Sequence, residues 1–155
     1  MPPKAEGHEA NSSPRPEDGF PDQAVLDAAL RLLSVRARSV GELRDRLLKK
    51  DLDPGDVNRC IQWLKSRGYL DDGQFAAAMT RDRLRFSPRS PFLIQRELRE
   101  KKVGSSVAET AVREVMDEEG LTPSDLARTA ASGWVRKQSP SVRSDLIGER
   151  FSPER

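Results

Sequence analysis

The chain has 155 residues, of which 35% are apolar and 34% are charged, with a net charge of +2. This balance predicts a small core beneath a highly charged surface. No run of about 18 apolar residues occurs, and no basic segment followed by an apolar one opens the chain, so we exclude a membrane span and a secretory signal and expect a cytoplasmic protein.

Residues 1–22 are predicted to form a disordered, acidic, proline-rich tail. They contain five prolines and no hydrophobic period, so burial would not compensate the entropy lost on ordering them. Residues 1–23 hold two cations and five carboxylates, a net charge of −3. A solvated linker is the default interpretation of this tail, and screening of the chain's own basic residues is the alternative.

Residues 23–70 carry the pattern of three amphipathic helices. Ser39 and Glu42 fit the capping box that opens a helix, Asp53 followed by Pro54 is typical of another helix start, and Gly68 would end the last helix. We therefore predict a first three-helix unit over residues 23–70. Its inward-facing residues would be Leu26, Ala29, Leu30, Leu33, Leu43, Leu47, Val57, Ile61 and Leu64.

The same pattern returns after 51 residues. Because a fixed period of this size is typical of stacked supersecondary units, we predict a second three-helix unit over residues 71–120. No segment alternates in the manner of a strand, so the predicted fold class is all-α. The apolar pairs at this offset are Leu43 and Ile94, Leu47 and Leu98, Leu52 and Val103, Ile61 and Val112, Leu64 and Val115, and Leu70 and Leu121.

A third, incomplete unit is predicted over residues 121–155. Helix-opening signals stand at Thr122, Ser139 and Ser152, but the given sequence stops at Arg155, so either the sequence is truncated there or the protein has lost the third helix of this unit. We expect this unit to be the least stable part of the chain, since a missing helix would leave apolar residues uncovered. Its inward-facing residues would be Leu126, Ala130, Trp134, Val142 and Leu146.

Residues 69–75 are predicted to join the first two units. Tyr69 and Leu70 would pack at this joint. Asp71 or Asp72 would cap the next helix, which carries Phe75 on its inner face. A structural role explains all five residues, and we prefer it to a functional one.

The excess positive charge falls in residues 81–102, which hold eight cations and three carboxylates, a net charge of +5. Arg81, Arg83 and Arg85 are two residues apart, so they spread over about 200° of a helix instead of forming one stripe. A solvated helix surface and a functional contact with an anionic partner both remain open for this segment. The candidate contact residues are Arg81, Arg83, Arg85, Arg89, Arg96, Arg99, Lys101 and Lys102.

Several other functions are poorly supported. The chain has one histidine, His8, in the predicted tail, and one cysteine, Cys60, on a helix with no histidine near in sequence to activate it. We therefore predict no catalytic centre, no metal site and no cofactor. The helix that opens at Pro54 offers few cations or amides for reading base edges, so sequence-specific DNA recognition is not expected.

The motifs together resemble the RecX family, the bacterial regulators of RecA recombinase. The matching segments are Ser39-Val40-Gly41-Glu42-Leu43, Gly68-Tyr69-Leu70-Asp71-Asp72 with Phe75-Ala76, and Ile94-Gln95-Arg96-Glu97-Leu98 with Lys102-Val103. The resemblance runs from about residue 24 to the end. It departs from the family pattern at Ser87-Pro88-Arg89-Ser90-Pro91 and in the absence of a last helix.

The resemblance implies an elongated, curved array of three-helix repeats that binds in the groove of the RecA–DNA filament. Such proteins limit filament growth, ATP hydrolysis and strand exchange. We therefore predict a non-enzymatic, monomeric modulator of RecA with weak contact to single- or double-stranded DNA. The alternatives are a helical nucleic-acid-binding protein that acts without RecA, and a scaffold for another partner.

Overall fold

The structure, a computed structural model, describes residues 19–142. Within that range seven α-helices have both ends described, residues 140–142 are helical as well, and no β-strand occurs, which confirms the all-α prediction. The helices are α1 (Gln23–Val35), α2 (Val40–Leu48), α3 (Pro54–Ser66), α4 (Asp72–Phe86), α5 (Pro91–Glu100), α6 (Ser105–Glu118) and α7 (Pro123–Lys137). The predicted tail before residue 19, Leu146 and the helix-opening signal at Ser152 lie outside the described residues.

The first of two compact units consists of the described residues up to Ala37 and of Leu43–Leu70, with α1 packed against α3. The Asp22 carboxylate caps α1 by accepting hydrogen bonds from the backbone nitrogens of Ala24 and Val25. Pro21 is buried as well. Ordered packing therefore begins before residue 23, which corrects the predicted boundary of the tail. The buried apolar residues of this unit are Val25, Leu26, Ala29, Leu43, Leu47, Val57, Cys60, Ile61, Leu64 and Leu70.

The second unit consists of Arg38–Glu42 and of the described residues from Asp71 onwards. Helix α6 lies at its centre and packs against both α4 and α5. The helix-start signals act as the sequence predicts, since the Asp71 carboxylate caps α4 and the Ser90 hydroxyl caps α5. Its core cluster comprises Ala76, Ile94, Leu98, Val103, Ala108, Ala111, Val112, Met116 and Leu126.

The 51-residue period governs backbone geometry as well as burial. Ten of the twelve paired residues are buried, and the remaining two, Leu52 and Leu121, are partly buried. Asp51 and Lys102 stand at the same offset, and both adopt left-handed backbone angles, with φ of 56° and 65°. The repeat therefore extends to the turn between the second and third helices of each unit.

The first turn of α2 belongs to the second unit and is held there by contacts with Asp72, Lys101 and Lys102. The Ser39 hydroxyl donates to the Lys101 carbonyl oxygen and accepts from the Glu42 nitrogen at 3.0 Å. The Val40 nitrogen donates to the Asp72 carboxylate at 2.8 Å. A Cβ at Gly41 would lie 2.5 Å from the Lys102 Cβ, so only glycine allows this approach without displacement. These contacts give the Ser39–Leu43 motif a packing role.

Helix α7 opens with a full capping box, in which Thr122 and Asp125 exchange side-chain and backbone hydrogen bonds. Hydrogen bonds from Thr122 hold the pKa of Asp125 below its usual range, with a smaller contribution from Arg128. This capping is therefore complete above the ordinary aspartate pKa and is lost as the pH falls through the lowered value.

The later part of α7 corrects one prediction. Leu126 is buried, as predicted, but Ala130 is exposed and the Trp134 side chain is 55% exposed. Leu126 is the only residue of α7 in the core cluster of the second unit. The predicted inward-facing positions farther along α7 are therefore not covered by other described residues. Trp134 is thus not a core residue.

Candidate interaction surface

The eight candidate cations all lie in the second unit. Arg81, Arg83 and Arg85 stand on α4, Arg89 lies in the connection to α5, and Arg96 and Arg99 stand on α5. Lys101 and Lys102 follow the end of that helix. The structure divides this set, because Arg81, Arg83, Arg89 and Arg96 are paired with carboxylates, whereas three of the other cations have no such pair within residues 19–142.

Glu97 holds two of the cations. The Arg83 Nε lies 2.6 Å from Glu97 Oε2, and Arg89 pairs with the other carboxylate oxygen. The Glu97 side chain is only 14% exposed. This Glu97 bridge, defined by Arg83, Arg89 and Glu97, fixes α4, α5 and their connection to one another. Arg83 and Arg89 are therefore partly neutralised.

Two further pairs are exposed and weaker. Arg81 lies 2.7 Å from Glu118 on α6, and Arg96 lies 3.5 Å from Glu100, with every side chain at least 46% exposed. Such surface pairs contribute about 0–1 kcal/mol each. Arg81 and Arg96 can consequently leave these carboxylates for a stronger anionic partner at little cost.

Arg85, Arg99 and Lys101 form no ion pair with any of residues 19–142. On α5, Arg96 and Arg99 lie opposite the buried residues Ile94 and Leu98, so they share the solvent face of the helix. Lys102 is held differently, because its left-handed backbone and its Cβ contact the first turn of α2. The cations best placed to meet a partner are Arg85, Arg96 and Arg99.

The residues of the predicted joint take separate roles. Leu70 is buried, Asp71 caps α4, and Asp72 accepts the hydrogen bond from Val40. Phe75 is partly buried against the core cluster of the second unit. Tyr69 differs, because it stacks on Trp63 at a ring-centroid distance of 6.3 Å and remains 61% exposed; it is not a core residue.

The described residues contain no cluster of His, Cys, Asp and Glu that could hold a metal ion. Cys60 is buried, and desolvation raises the pKa of its thiol to about 11. The nucleophilic thiolate is therefore scarce at neutral pH. None of the helices in residues 19–142 is long and apolar enough to cross a membrane.

Family models and relatives identify the family of this chain. The models of the first and second three-helix domains of RecX match residues 26–64 and 71–112. A regulatory protein RecX from Shigella dysenteriae is 35% identical over 133 residues, which cover 79% of this chain and 77% of the relative. The chain belongs to the RecX family.

The other comparisons agree with RecX membership. A regulatory protein RecX from Halorhodospira halophila is 36% identical over 98 residues, which cover 63% of this chain and 60% of that relative. The crystal structure of RecX from Lactobacillus salivarius aligns with a TM-score of 0.59 at 23% identity, covering 83% of this chain and 87% of that one. The tandem three-helix architecture is thus the RecX fold.

The RecX match also locates the cations, since all eight lie within the second matched domain, residues 71–112. Glu97 belongs to the Ile-x-x-Glu-Leu segment that carries the resemblance to RecX. Sequence reasoning found the cations from charge density alone. It missed the role of Glu97, because an ion pair between residues 14 positions apart has no local sequence signal.

Replacing Glu97 with glutamine should destabilise the second unit by about 1–2 kcal/mol. This value lies between the small cost of an exposed pair and the 3–5 kcal/mol cost of breaking a fully buried one, since Arg83 is 35% exposed. Urea denaturation followed by circular dichroism measures the change. Glu100→Gln is the matched control and should cost less than about 0.5 kcal/mol. Equal effects of the two substitutions would contradict a structural role for the Glu97 bridge.

Proposed function

We propose that this chain is a non-enzymatic modulator, and specifically an inhibitor, of the RecA recombinase. In this proposal it binds the RecA–DNA filament and limits filament growth, ATP hydrolysis and strand exchange. Membership of the RecX family, whose members here are named regulatory proteins, supports the proposal. The partner is the one that the RecX resemblance implies.

One observation supports the assignment of this function to particular residues. The solvent face of the second unit presents Arg85, Arg96 and Arg99 with weak or absent carboxylate partners among the described residues. Exposed arginines that are not neutralised can pair bidentately with the carboxylates or phosphates of a filament. Arg83 and Arg89 instead position the surface through the Glu97 bridge.

The proposal is tested by the single-strand-dependent ATPase of RecA with this protein titrated in at fixed salt and excess DNA. We expect suppression at well below one molecule per RecA monomer, because blocked growth at filament ends acts on many subunits at once. Unchanged hydrolysis at an equimolar ratio would refute the proposal.

The competing function, nucleic-acid binding without RecA, makes a different prediction. Affinity for naked DNA would then fall steeply with salt, as phosphate contacts release counterions. We expect instead that binding to RecA-coated DNA greatly exceeds binding to the same naked oligonucleotide near 150 mM salt. Equal affinities would favour the competing function.

A further inference from the structure

Three exposed large apolar residues lie in the short segment where α4 ends and α5 begins. Phe86 is the last residue of α4 and is 75% exposed, whereas Phe92 and Leu93 open α5 and are 63% and 36% exposed. We call these three residues the corner patch. Large apolar side chains gathered in so short a segment mark an interaction surface more often than scattered ones do.

The Glu97 bridge positions the corner patch. Phe86 follows Arg83 by three residues on α4, and Leu93 precedes Glu97 by four residues on α5, so these two residues neighbour the two ends of the ion pair, while Phe92 is adjacent to Leu93 in the first turn of α5. The 2.6 Å bond between Arg83 and Glu97 brings those two helix faces together. The patch thus stands on a braced corner, which reduces the entropy that binding must overcome.

Charge surrounds the corner patch without dominating it. Arg85 is adjacent to Phe86, and Arg96 lies one turn after Phe92 on α5. Arg83 and Arg89, each three residues from Phe86, are compensated by Glu97. An apolar centre with an arginine rim has the composition of a protein–protein interface.

The same composition suits nucleic acid less well. Platforms for single strands use aromatic faces on which bases stack, but Leu93 has no aromatic face. Cations that follow a phosphate backbone must also be free to neutralise it, but Arg83 and Arg89 at this corner are already paired with Glu97. The chemistry of the patch therefore favours an apolar pocket bordered by carboxylates on a protein.

We propose that the corner patch is the anchor by which this chain docks on the protein subunits of the RecA filament, with the phenylalanine rings inserted in an apolar pocket with an acidic rim. This inference rests on the proposed function and adds to it the chemistry of the contact. It assigns the arginines at this corner to the rim of a protein interface instead of to DNA phosphates.

The test compares the full chain with its Phe86→Ala/Phe92→Ala variant. Both rings are exposed, so helicity and the urea midpoint should not change. Binding is measured to RecA-coated oligothymidylate and to the same oligothymidylate without RecA, at equal salt. Val35→Ala is the matched control, because Val35 is 78% exposed and is the counterpart of Phe86 at the 51-residue offset.

We expect the double variant to lose about 30-fold or more in affinity for the RecA-coated strand, with less than a twofold change on the naked strand. Val35→Ala should leave both affinities unchanged. An equal loss on the naked strand would overturn the proposal in favour of base stacking, and no loss on either would exclude the corner patch from binding. If the unaltered chain fails to bind RecA-coated DNA, the proposed function fails and this inference fails with it.

Discussion

Replacing Arg85, Arg96 and Arg99 together with glutamate should lower affinity for the RecA filament by at least about 100-fold. Each reversal removes one attraction and introduces one repulsion, worth about 1 kcal/mol or more at a partly desolvated interface. Three of them exceed the 2.7 kcal/mol that corresponds to a factor of 100. None of the three touches Glu97, so the fold of the second unit should be retained. Fluorescence anisotropy of labelled filaments measures the loss.

The matched control reverses Arg31, Arg46 and Lys49, which are exposed in the first unit. It changes the net charge by the same amount, so non-specific electrostatic attraction falls equally in the two variants. We expect a clearly smaller loss for this control. Comparable losses would mean that overall charge, and not the surface of α4 and α5, determines binding.

Replacing Leu98 with alanine should destabilise the second unit by about 2–5 kcal/mol, the usual range for a fully buried leucine. Leu98 has no exposed surface and belongs to a core cluster built largely from alanine and valine, which cannot easily fill the cavity. The free energy of unfolding of small domains is only about 5–15 kcal/mol, so this substitution would remove a large fraction of it. A lowered urea midpoint in circular dichroism would show it.

Two substitutions on other leucines frame this result. Leu93→Ala, on the same helix but 36% exposed, should cost less than about 1 kcal/mol. Leu47→Ala, at the equivalent position of the first unit and also fully buried, should cost as much as Leu98→Ala. If Leu47→Ala were nearly neutral, the repeat would not reflect equivalent packing.

The fold could be predicted from the sequence because the apolar residues of the repeated pairs are all buried or partly buried. Leu43 and Ile94 recur at the 51-residue offset and are both fully buried. Helix starts were equally predictable, since the side chains of Asp53 and Ser90 cap the following turn by accepting hydrogen bonds from backbone nitrogens three residues later. Local chemistry decides these features, so no knowledge of distant contacts is needed.

Predictions failed where burial depends on a neighbour that the helical period does not specify. Leu30 and Trp134 occupy the predicted inward positions of α1 and α7, yet they are 41% and 55% exposed. A period indicates which side of a helix is apolar, but the length of helix that is covered depends on the helices packed against it.

The candidate surface was predictable only in outline. Charge density located the basic segment, whereas the pairing of Arg83 and Arg89 with Glu97 depends on how α4 and α5 meet. The corner patch was missed for the same reason, because Phe86 and Phe92 are ordinary apolar residues until their exposure is known.

The 51-residue offset also separates what the two units share from what distinguishes them. Leu47 and Leu98 preserve the interior, while their solvent-facing neighbours differ: Asp45 corresponds to Arg96, and Leu48 to Arg99. A repeat of this kind lets one copy acquire a new binding chemistry while the other keeps its own, since outward positions can change sign without disturbing the interior. A few surface substitutions are thus enough to give one unit a binding function that the other lacks.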